Sequence, residues 1–171
     1  DEYYSVYWDF FTPQKWAERE ADYTAEKKRL AAIEARRIDD FRVGEMQPER
    51  DHQLTATERS YVSDALGRMG REARTGHHFR FAMKVLPDMQ NHLLITLIGD
   101  DKDRVFDILV DGQKLETVTW KGGQTGRFYD LEFPIPIERT RGKTSIDLRV
   151  EANQGKTAGR IFGVKTLKSL Q

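Results

Sequence analysis

Residues 77–86 read HHFRFAMKVL, and this stretch decides the fold class of the chain. Apolar side chains occupy every second position, and mostly polar side chains occupy the positions between them. A period of two is the signature of a β-strand that buries one face and exposes the other to solvent. We therefore expect a half-buried strand whose inward face carries Phe79, Phe81, Met83 and Val85.

Strand patterns continue to the end of the chain. Residues 92–98 form a continuous and mainly apolar strand pattern, which is typical of a strand covered on both faces. Asp111-Gly112 is a strong signal for a two-residue hairpin turn. Antiparallel strands with frequent turns predict an all-β fold, a jelly-roll-like antiparallel β-sandwich. We predict strands at residues 92–98, 106–110, 115–120, 129–133, 146–150 and 160–167, and a long loop at residues 63–76.

A charged segment from Pro13 to about Arg37 predicts a helix. Thr12 fits the N-cap and Pro13 fits the first helical position. Acidic residues fill the first half and basic residues the second, an order that complements the helix dipole. The narrow apolar stripe indicates a linker helix and not a core element. The stripe consists of Trp16, Tyr23, Leu30 and Ile33.

These patterns divide the chain into three predicted parts. Residues 1–11 are aromatic and strand-like, residues 12–40 contain the linker helix, and residues 41–171 form the β-sandwich. Because the chain begins inside the strand-like segment, we expect residues 1–11 to be the remnant of a preceding domain. Any export signal is then expected to lie upstream of Asp1.

The composition disfavours several classes of function. The 28 basic and 28 acidic residues give a formal net charge of zero, whereas domains that bind nucleic acids normally carry a basic excess. No apolar run approaches the roughly 20 residues that span a bilayer. We therefore expect neither nucleic acid nor a membrane as a partner. The chain has no cysteine, which excludes disulfides and thiolate zinc sites within it.

Several motifs, taken in their order and spacing, resemble the C-terminal module of proteins related to glycoside hydrolase family 127, the β-L-arabinofuranosidase family. The segment Val6-Tyr7-Trp8 also resembles the last strand of the β-sandwich domain that precedes this module. The motifs are GEMQPERDH at residues 44–52, FDILVDG at 106–112, FYDLEFPIP at 128–136, TRGK at 140–143 and TAGRIFGV at 157–164.

The resemblance implies an accessory role. In that family the catalytic cysteine and a cysteine-rich zinc site belong to a separate upstream helical barrel, and none of these residues maps onto a chain without cysteine. The chain also lacks a Gly-x-Ser-x-Gly elbow and a P-loop, so no catalytic residue is assigned. We expect a non-catalytic, galactose-binding-like module of a secreted bacterial glycoside hydrolase, located outside the cytoplasm, whose partners are the catalytic and other domains of the parent chain.

Two other functions stay open. The first is a carbohydrate-binding module for a plant polysaccharide such as arabinan or arabinogalactan, and the second is an autonomous hydrolase. Sugar rings stack on exposed aromatic side chains, and charged side chains then fix their hydroxyl groups. Alternating aromatic residues also pack in cores, so each position has a structural interpretation as well. The candidate ligand-binding residues are Trp120, Arg127, Tyr129 and Asp107.

Acidic residues cluster at two places. Glu45, Glu49 and Asp51, with His52 beside them, form a candidate site for Ca²⁺ or another metal, or for hydrogen bonds to a sugar. Apart from such a structural calcium ion, no cofactor is expected. The alternative is a polar loop that is held by salt bridges. The segment from Asp100 to Asp103 is interpreted as a solvated connection, with a calcium loop as the alternative.

Overall fold

The computed structural model describes residues 13–170. The strand expected at residues 1–11 lies outside this range. The chain divides into two compact units, of which the first ends at Arg36 and the second begins at Arg37.

The first unit contains a single described element, helix α1 (Pro13–Arg36), so the predicted helix is confirmed almost to the residue. None of its residues is buried. Tyr23 is 60% exposed and Leu30 is 52% exposed. An ion pair of 2.7 Å between Arg29 and Glu26 spans one turn of its surface. Among residues 13–170, no helix is both long and apolar enough to cross a membrane.

The second unit is almost entirely β-structure, with two short helical segments. Its β1 begins at Arg37, so the boundary predicted at residue 41 falls inside a strand. The described elements are β1 (Arg37–Arg42), α2 (Met46–Asp51), β2 (Thr55–Ala56), β3 (Ser60–Ala65), β4 (Arg68–Ala73), β5 (His78–Lys84), β6 (Asn91–Ile98), β7 (Arg104–Val110), β8 (Gln113–Trp120), β9 (Phe128–Ile135), a 3₁₀ turn (Ile137–Arg139), β10 (Ser145–Ala152), β11 (Ala158–Ile161) and β12 (Gly163–Lys168).

Three antiparallel sheets make up this unit. Sheet A has the strand order β1-β12-β6-β9, sheet B has the order β2-β5-β10-β7-β8, and sheet C has the order β11-β4-β3. Sheets A and B bury their inward faces in one hydrophobic core, to which sheet C also contributes. The predicted jelly-roll-like antiparallel sandwich with an N-terminal helix is therefore confirmed.

The core follows the alternation of the sequence. In β5, the residues at 79, 81 and 83 are at most 2% exposed, as their spacing predicts. In β6, every residue except His92 is buried, as expected for a strand covered on both faces. The turn Asp111-Gly112 joins β7 to β8 with positive φ angles of 48° and 83°, which is the geometry that the hairpin signal predicts.

The loop predicted at residues 63–76 is wrong. Strands β3 and β4 form a hairpin there, joined by a turn at Leu66-Gly67 with φ angles of 53° and 79°. The sequence shows no apolar alternation in this region, because the hairpin is held by contacts with distant residues and not by an alternating apolar face of its own. A Cβ atom on Gly70 would lie only 2.8 Å from the ring of Phe162, so the hairpin approaches the strand junction through a residue without a side chain.

Candidate functional site

Three of the predicted binding residues meet at one end of the sandwich. We call Trp120, Arg127 and Tyr129, together with the loop at residues 121–127 between β8 and β9, the aromatic loop cluster. The rings of Trp120 and Tyr129 have centroids 5.3 Å apart at an angle of 57°. The guanidinium carbon of Arg127 lies 5.2 Å from the centroid of the Tyr129 ring. The structure therefore brings these three residues together.

Strand parity explains why the two aromatic residues meet. Trp120 is two residues after the buried Val118, so its side chain points from sheet B toward the core, where it packs. Tyr129 is two residues before the core-packed Leu131 and points inward from sheet A. The pair thus closes one end of the space between the sheets, and both residues are half-buried.

Hydrogen bonds fix the polar atoms of this pair. The indole N–H of Trp120 donates to the carbonyl of Ile98 over 3.1 Å, and the hydroxyl of Tyr129 accepts from the backbone N–H of Gln124 over 2.9 Å. A Cβ atom on Gly123 would lie 2.6 Å from the Tyr129 ring, so the loop backbone rests directly on that ring. The packing interpretation therefore applies to both aromatic side chains, which hold a loop whose outer residues are exposed.

The neighbouring loop between β6 and β7 is tied to the same cluster. The Asp100 carboxylate accepts a hydrogen bond of 2.7 Å from the backbone N–H of Gly126, and Gly99 donates to the carbonyl of Arg127 over 2.9 Å. Gln124 and Arg127 are exposed, and their side chains lie 3.5 Å apart. Asp100 and Gln124 were not predicted as site residues, although the Gly-rich composition of 121–127 marks a loop in which the backbone can approach a ligand.

Asp107 does not belong to the aromatic loop cluster. Its neighbours Phe106 and Ile108 are buried in the core, so its own side chain lies on the opposite face of sheet B. There it accepts a hydrogen bond of 2.7 Å from Thr117 and lies 3.7 Å from the ammonium group of Lys114. The prediction that Asp107 joins Trp120 in one site is therefore not met by the geometry.

The three carboxylates predicted to bind calcium do not converge. Glu49 accepts hydrogen bonds from Arg71 over 2.8 and 2.9 Å and from the backbone N–H of Gly44 over 2.9 Å. Asp51 is exposed and pairs with Gln47, and Glu45 is exposed. No group of three or more metal-binding side chains occurs between residues 13 and 170. The alternative, a loop tied down by ion pairs, describes this region.

His52 next to this loop is also structural. Its Nδ1 lies 2.9 Å from the carbonyl of Pro48, its Nε2 lies 3.2 Å from a carboxylate oxygen of Asp39, and its ring stacks on Phe41 at 4.5 Å. Because the carbonyl only accepts, Nδ1 is a donor. Both ring nitrogens are therefore engaged, which leaves none to activate a nucleophile or a water molecule.

The acidic turn at residues 100–103 is not a simple solvated connection. Asp101 is only 6% exposed and accepts hydrogen bonds of 3.0 and 2.9 Å from the guanidinium of Arg160. This hydrogen bonding raises the pKa of Arg160 above its ordinary value. Asp103 pairs with Lys156 at 2.7 Å. No local pattern predicts the buried pair, because its partners are 59 positions apart in the chain.

The comparison with family models assigns the chain to a protein family. The model of a family of unknown function, DUF6805, matches residues 32–167 and therefore covers all the strands except the end of β12. The chain belongs to the DUF6805 family. No functionally curated protein has a sequence that matches it significantly.

The fold of this DUF6805 chain is similar to that of solved family 35 carbohydrate-binding modules. A module from an environmental isolate superposes with a TM-score of 0.58 at 10% identity, covering 77% of this chain and 94% of that module. A module from Clostridium thermocellum gives 0.57 at 11% identity, with coverages of 76% and 98%. One from Paenibacillus barcinonensis gives 0.55 at 13% identity, with coverages of 77% and 99%. At these identities the similarity establishes the fold.

The outer face of sheet B in this DUF6805 chain is charged and offers no aromatic platform. Alternation places no Phe, Tyr or Trp on the outward positions of β5, β7 or β10. Arg149 lies directly opposite Arg80, which pairs with Asp147 at 3.2 Å. Burial, reinforced by the positive charge of Arg149, lowers the pKa of His78 below its ordinary value. This face therefore lacks the stacking surface that a neutral sugar needs.

Proposed function

We propose that this DUF6805 domain is a carbohydrate-binding module that uses the aromatic loop cluster. The observation that supports the proposal is the extent of the structural similarity. Three carbohydrate-binding modules align over 94–99% of their own length, so the correspondence involves the whole module and not a shared sheet.

The geometry of the cluster suits a sugar. The exposed parts of the Trp120 and Tyr129 rings supply an apolar surface for the C–H face of a pyranose or furanose ring. Arg127 supplies several N–H donors, and its position against the Tyr129 ring restricts its rotamers before binding. Gln124 adds an exposed amide that both donates and accepts. No bond is made or broken in this mechanism, and we assign no catalytic residue.

A titration of the full chain tests the proposal. Fragments of arabinan, arabinogalactan and pectin are titrated into the protein, and heat is measured by calorimetry. Arg127→Ala is expected to weaken binding by about tenfold, since a hydrogen bond to a charged group contributes roughly 1.5–3 kcal/mol. Arg141→Ala serves as the matched control, because Arg141 is equally exposed and lies outside the cluster. Failure of all these saccharides to bind at millimolar concentration contradicts the proposal.

A second candidate function is packing against another domain of a longer chain. Tyr23 and Leu30 on α1, and Met46 at the start of α2, are 60%, 52% and 78% exposed. Large exposed apolar side chains are typical of contact surfaces. In this proposal the parent protein is an exported glycoside hydrolase related to family 127, and α1, with the aromatic residues Trp8 and Phe10 before it, contacts its catalytic domain.

The second candidate has its own test. The module is mixed with a separately produced catalytic domain from the parent protein, and association is measured by sedimentation velocity. Tyr23→Ser with Leu30→Ser is expected to abolish a complex that the unmodified module forms, while Arg127→Ala leaves that complex intact. No complex with the unmodified module excludes this candidate and leaves the carbohydrate-binding proposal unaffected.

A further inference from the structure

A cavity of about 410 Å³ opens beside the tip of the β3–β4 hairpin and is lined by none of the residues of the aromatic loop cluster. Its floor is the outer face of sheet A. Val164 and Ile95 point into the core, so the neighbouring pair of Gly163 and Thr96 faces the other way. We call this the arginine cavity. The charged residues that line it are Asp40, Arg42, Glu45, Arg68 and Lys165, together with Phe162 and Gly163.

Three cations and two carboxylates line the arginine cavity, and neither of its arginines is paired with a carboxylate of residues 13–170. Arg42 comes from β1 and Arg68 from β4, and both are exposed. Within residues 13–170, neither guanidinium forms a side-chain hydrogen bond or an ion pair. Lys165 is the exception, because its ammonium group lies 3.5 Å from a carboxylate oxygen of Asp40. Two guanidinium groups are thus available to a ligand, in a chain whose overall charge is zero.

The position of Arg68 is prepared by packing. Its guanidinium carbon lies 4.6 Å from the centroid of the Phe128 ring, and Phe128 meets Phe162 edge to face at 5.1 Å. A cation above an aromatic face is attracted to it, while the N–H groups at the edge of the guanidinium stay available. Such a fixed, planar group suits the two oxygens of a carboxylate or a sulfate.

Gly163 is the second observation that indicates a ligand. Its φ angle is not positive, so the backbone does not require glycine. A Cβ atom there would lie 3.5 Å from Arg68 Nη2 and 3.7 Å from Thr96 Oγ1, which is ordinary van der Waals contact. Packing therefore does not require glycine either. Gly163 is the first residue of β12 and pairs with Arg42 on one side and Thr96 on the other. Glycine in a paired strand often marks the close approach of a ligand or of another backbone.

We propose that the arginine cavity binds the oxyanion of an acidic saccharide, either a carboxylate or a sulfate group. This inference rests on the proposed carbohydrate-binding function and adds a second subsite to it. Arg42 and Arg68 donate hydrogen bonds to the oxyanion. Gly163 leaves the floor open, so that the sugar ring approaches the sheet. The exposed carboxylate of Glu45 accepts hydrogen bonds from sugar hydroxyl groups.

The test compares four saccharides of matched length: an oligogalacturonate, a sulfated galactan fragment, a neutral galactan fragment and a neutral arabinan fragment. Affinities for the full chain are measured by calorimetry at two salt concentrations. We expect one of the two acidic saccharides to bind at least tenfold more tightly than its neutral counterpart, with a difference that shrinks as salt rises. The acidic saccharide that binds identifies the oxyanion.

Three variants locate the site. Arg42→Gln with Arg68→Gln is expected to abolish the preference for the acidic saccharide. Gly163→Val is expected to weaken its binding by at least tenfold through occlusion, with both arginines intact. The matched control, Arg59→Gln, removes an exposed charge outside the cavity and is expected to change nothing. Thermal unfolding of each variant confirms that it is folded.

The outcomes separate this inference from the proposed function. Binding of neutral saccharides without any acidic preference overturns the arginine cavity as a subsite and leaves the proposed function in place. An acidic preference that survives both Gly163→Val and the double arginine substitution also overturns the subsite, because the oxyanion is then held elsewhere. Equal displacement of the saccharide by free inorganic sulfate at the same concentration shows an unspecific anion site and rejects the saccharide. Failure of every saccharide to bind overturns the proposed function as well.

Discussion

Removal of one partner from the buried ion pair between Asp101 and Arg160 is the sharpest test of this structure. Arg160→Met keeps the length and apolar contacts of the side chain but leaves Asp101, which is 6% exposed, without its main partner. Breaking a buried pair in this way costs about 3–5 kcal/mol. Arg104 still lies 3.6 Å from Asp101, so we expect the lower end, about 3 kcal/mol. In a chain of this size that lowers Tm by roughly 6–12 °C.

The assay is urea unfolding followed by circular dichroism, together with calorimetric melting. Asp101→Asn combined with Arg160→Met is expected to be more stable than Arg160→Met alone, because it leaves no unpaired buried charge. The same turn carries Asp100, which holds the backbone of Gly126, so Arg160→Met should also weaken saccharide binding. A Tm equal to that of the unmodified protein would falsify the assignment of this pair as buried and stabilising.

Three further predictions concern the loop at residues 121–127, the outer face of sheet B and the Glu49 carboxylate in α2. Gly123→Ala is expected to lower both Tm and saccharide affinity, because its Cβ would lie 2.6 Å from the Tyr129 ring; unchanged values contradict the packing of the loop on that ring. The pKa of His78 is lowered in the folded chain, so the unfolded chain binds more protons as the pH is lowered through about 6.5, and the free energy of unfolding decreases in that range. His78→Gln should flatten that part of the pH–stability curve. An unchanged curve rejects the assignment. Treatment with EDTA should leave Tm unchanged, since Arg71 already donates to both carboxylate oxygens of Glu49. A drop in Tm would show that the folded protein binds a metal ion.

Local sequence patterns predicted the parts of the fold that depend on one buried face. The strand at residues 77–86 and the hairpin at Asp111-Gly112 were correct because alternation and turn chemistry act over a few neighbouring residues. The hairpin of β3 and β4 was missed because it depends on packing against residues that are distant in the sequence. Gly70 packs against Phe162, which lies far away along the chain, and no local pattern reports such a contact.

The same distinction applies to the candidate site. Trp120 and Tyr129 were grouped correctly because a single loop joins the strands that carry them. Asp107 was misplaced because parity within its own strand, which turns it to the outer face, was not applied to it. The acidic residues were misinterpreted for another reason. Whether a carboxylate binds a metal or an arginine depends on which cation lies nearby in space, as for Glu49, and the sequence does not show that.

The pairing of charges separates the basic side chains that hold the sandwich together from those that form no ion pair. The conspicuous acids of the sandwich are each matched by a basic side chain: Glu49 by Arg71, Asp101 by Arg160, Asp103 by Lys156 and Asp111 by Lys143. These four ion pairs hold parts of the sandwich together, although only Asp101 among their acids is buried. The arginines without a carboxylate within ion-pair distance in the part of the chain that the structure describes then gain significance. Arg127 in the aromatic loop cluster, and Arg42 and Arg68 in the arginine cavity, belong to this group. Arg127 and Arg68 each lie beside an aromatic ring. Because solvent-exposed guanidinium groups contribute little to stability, we infer that these two arginines serve the proposed ligand binding.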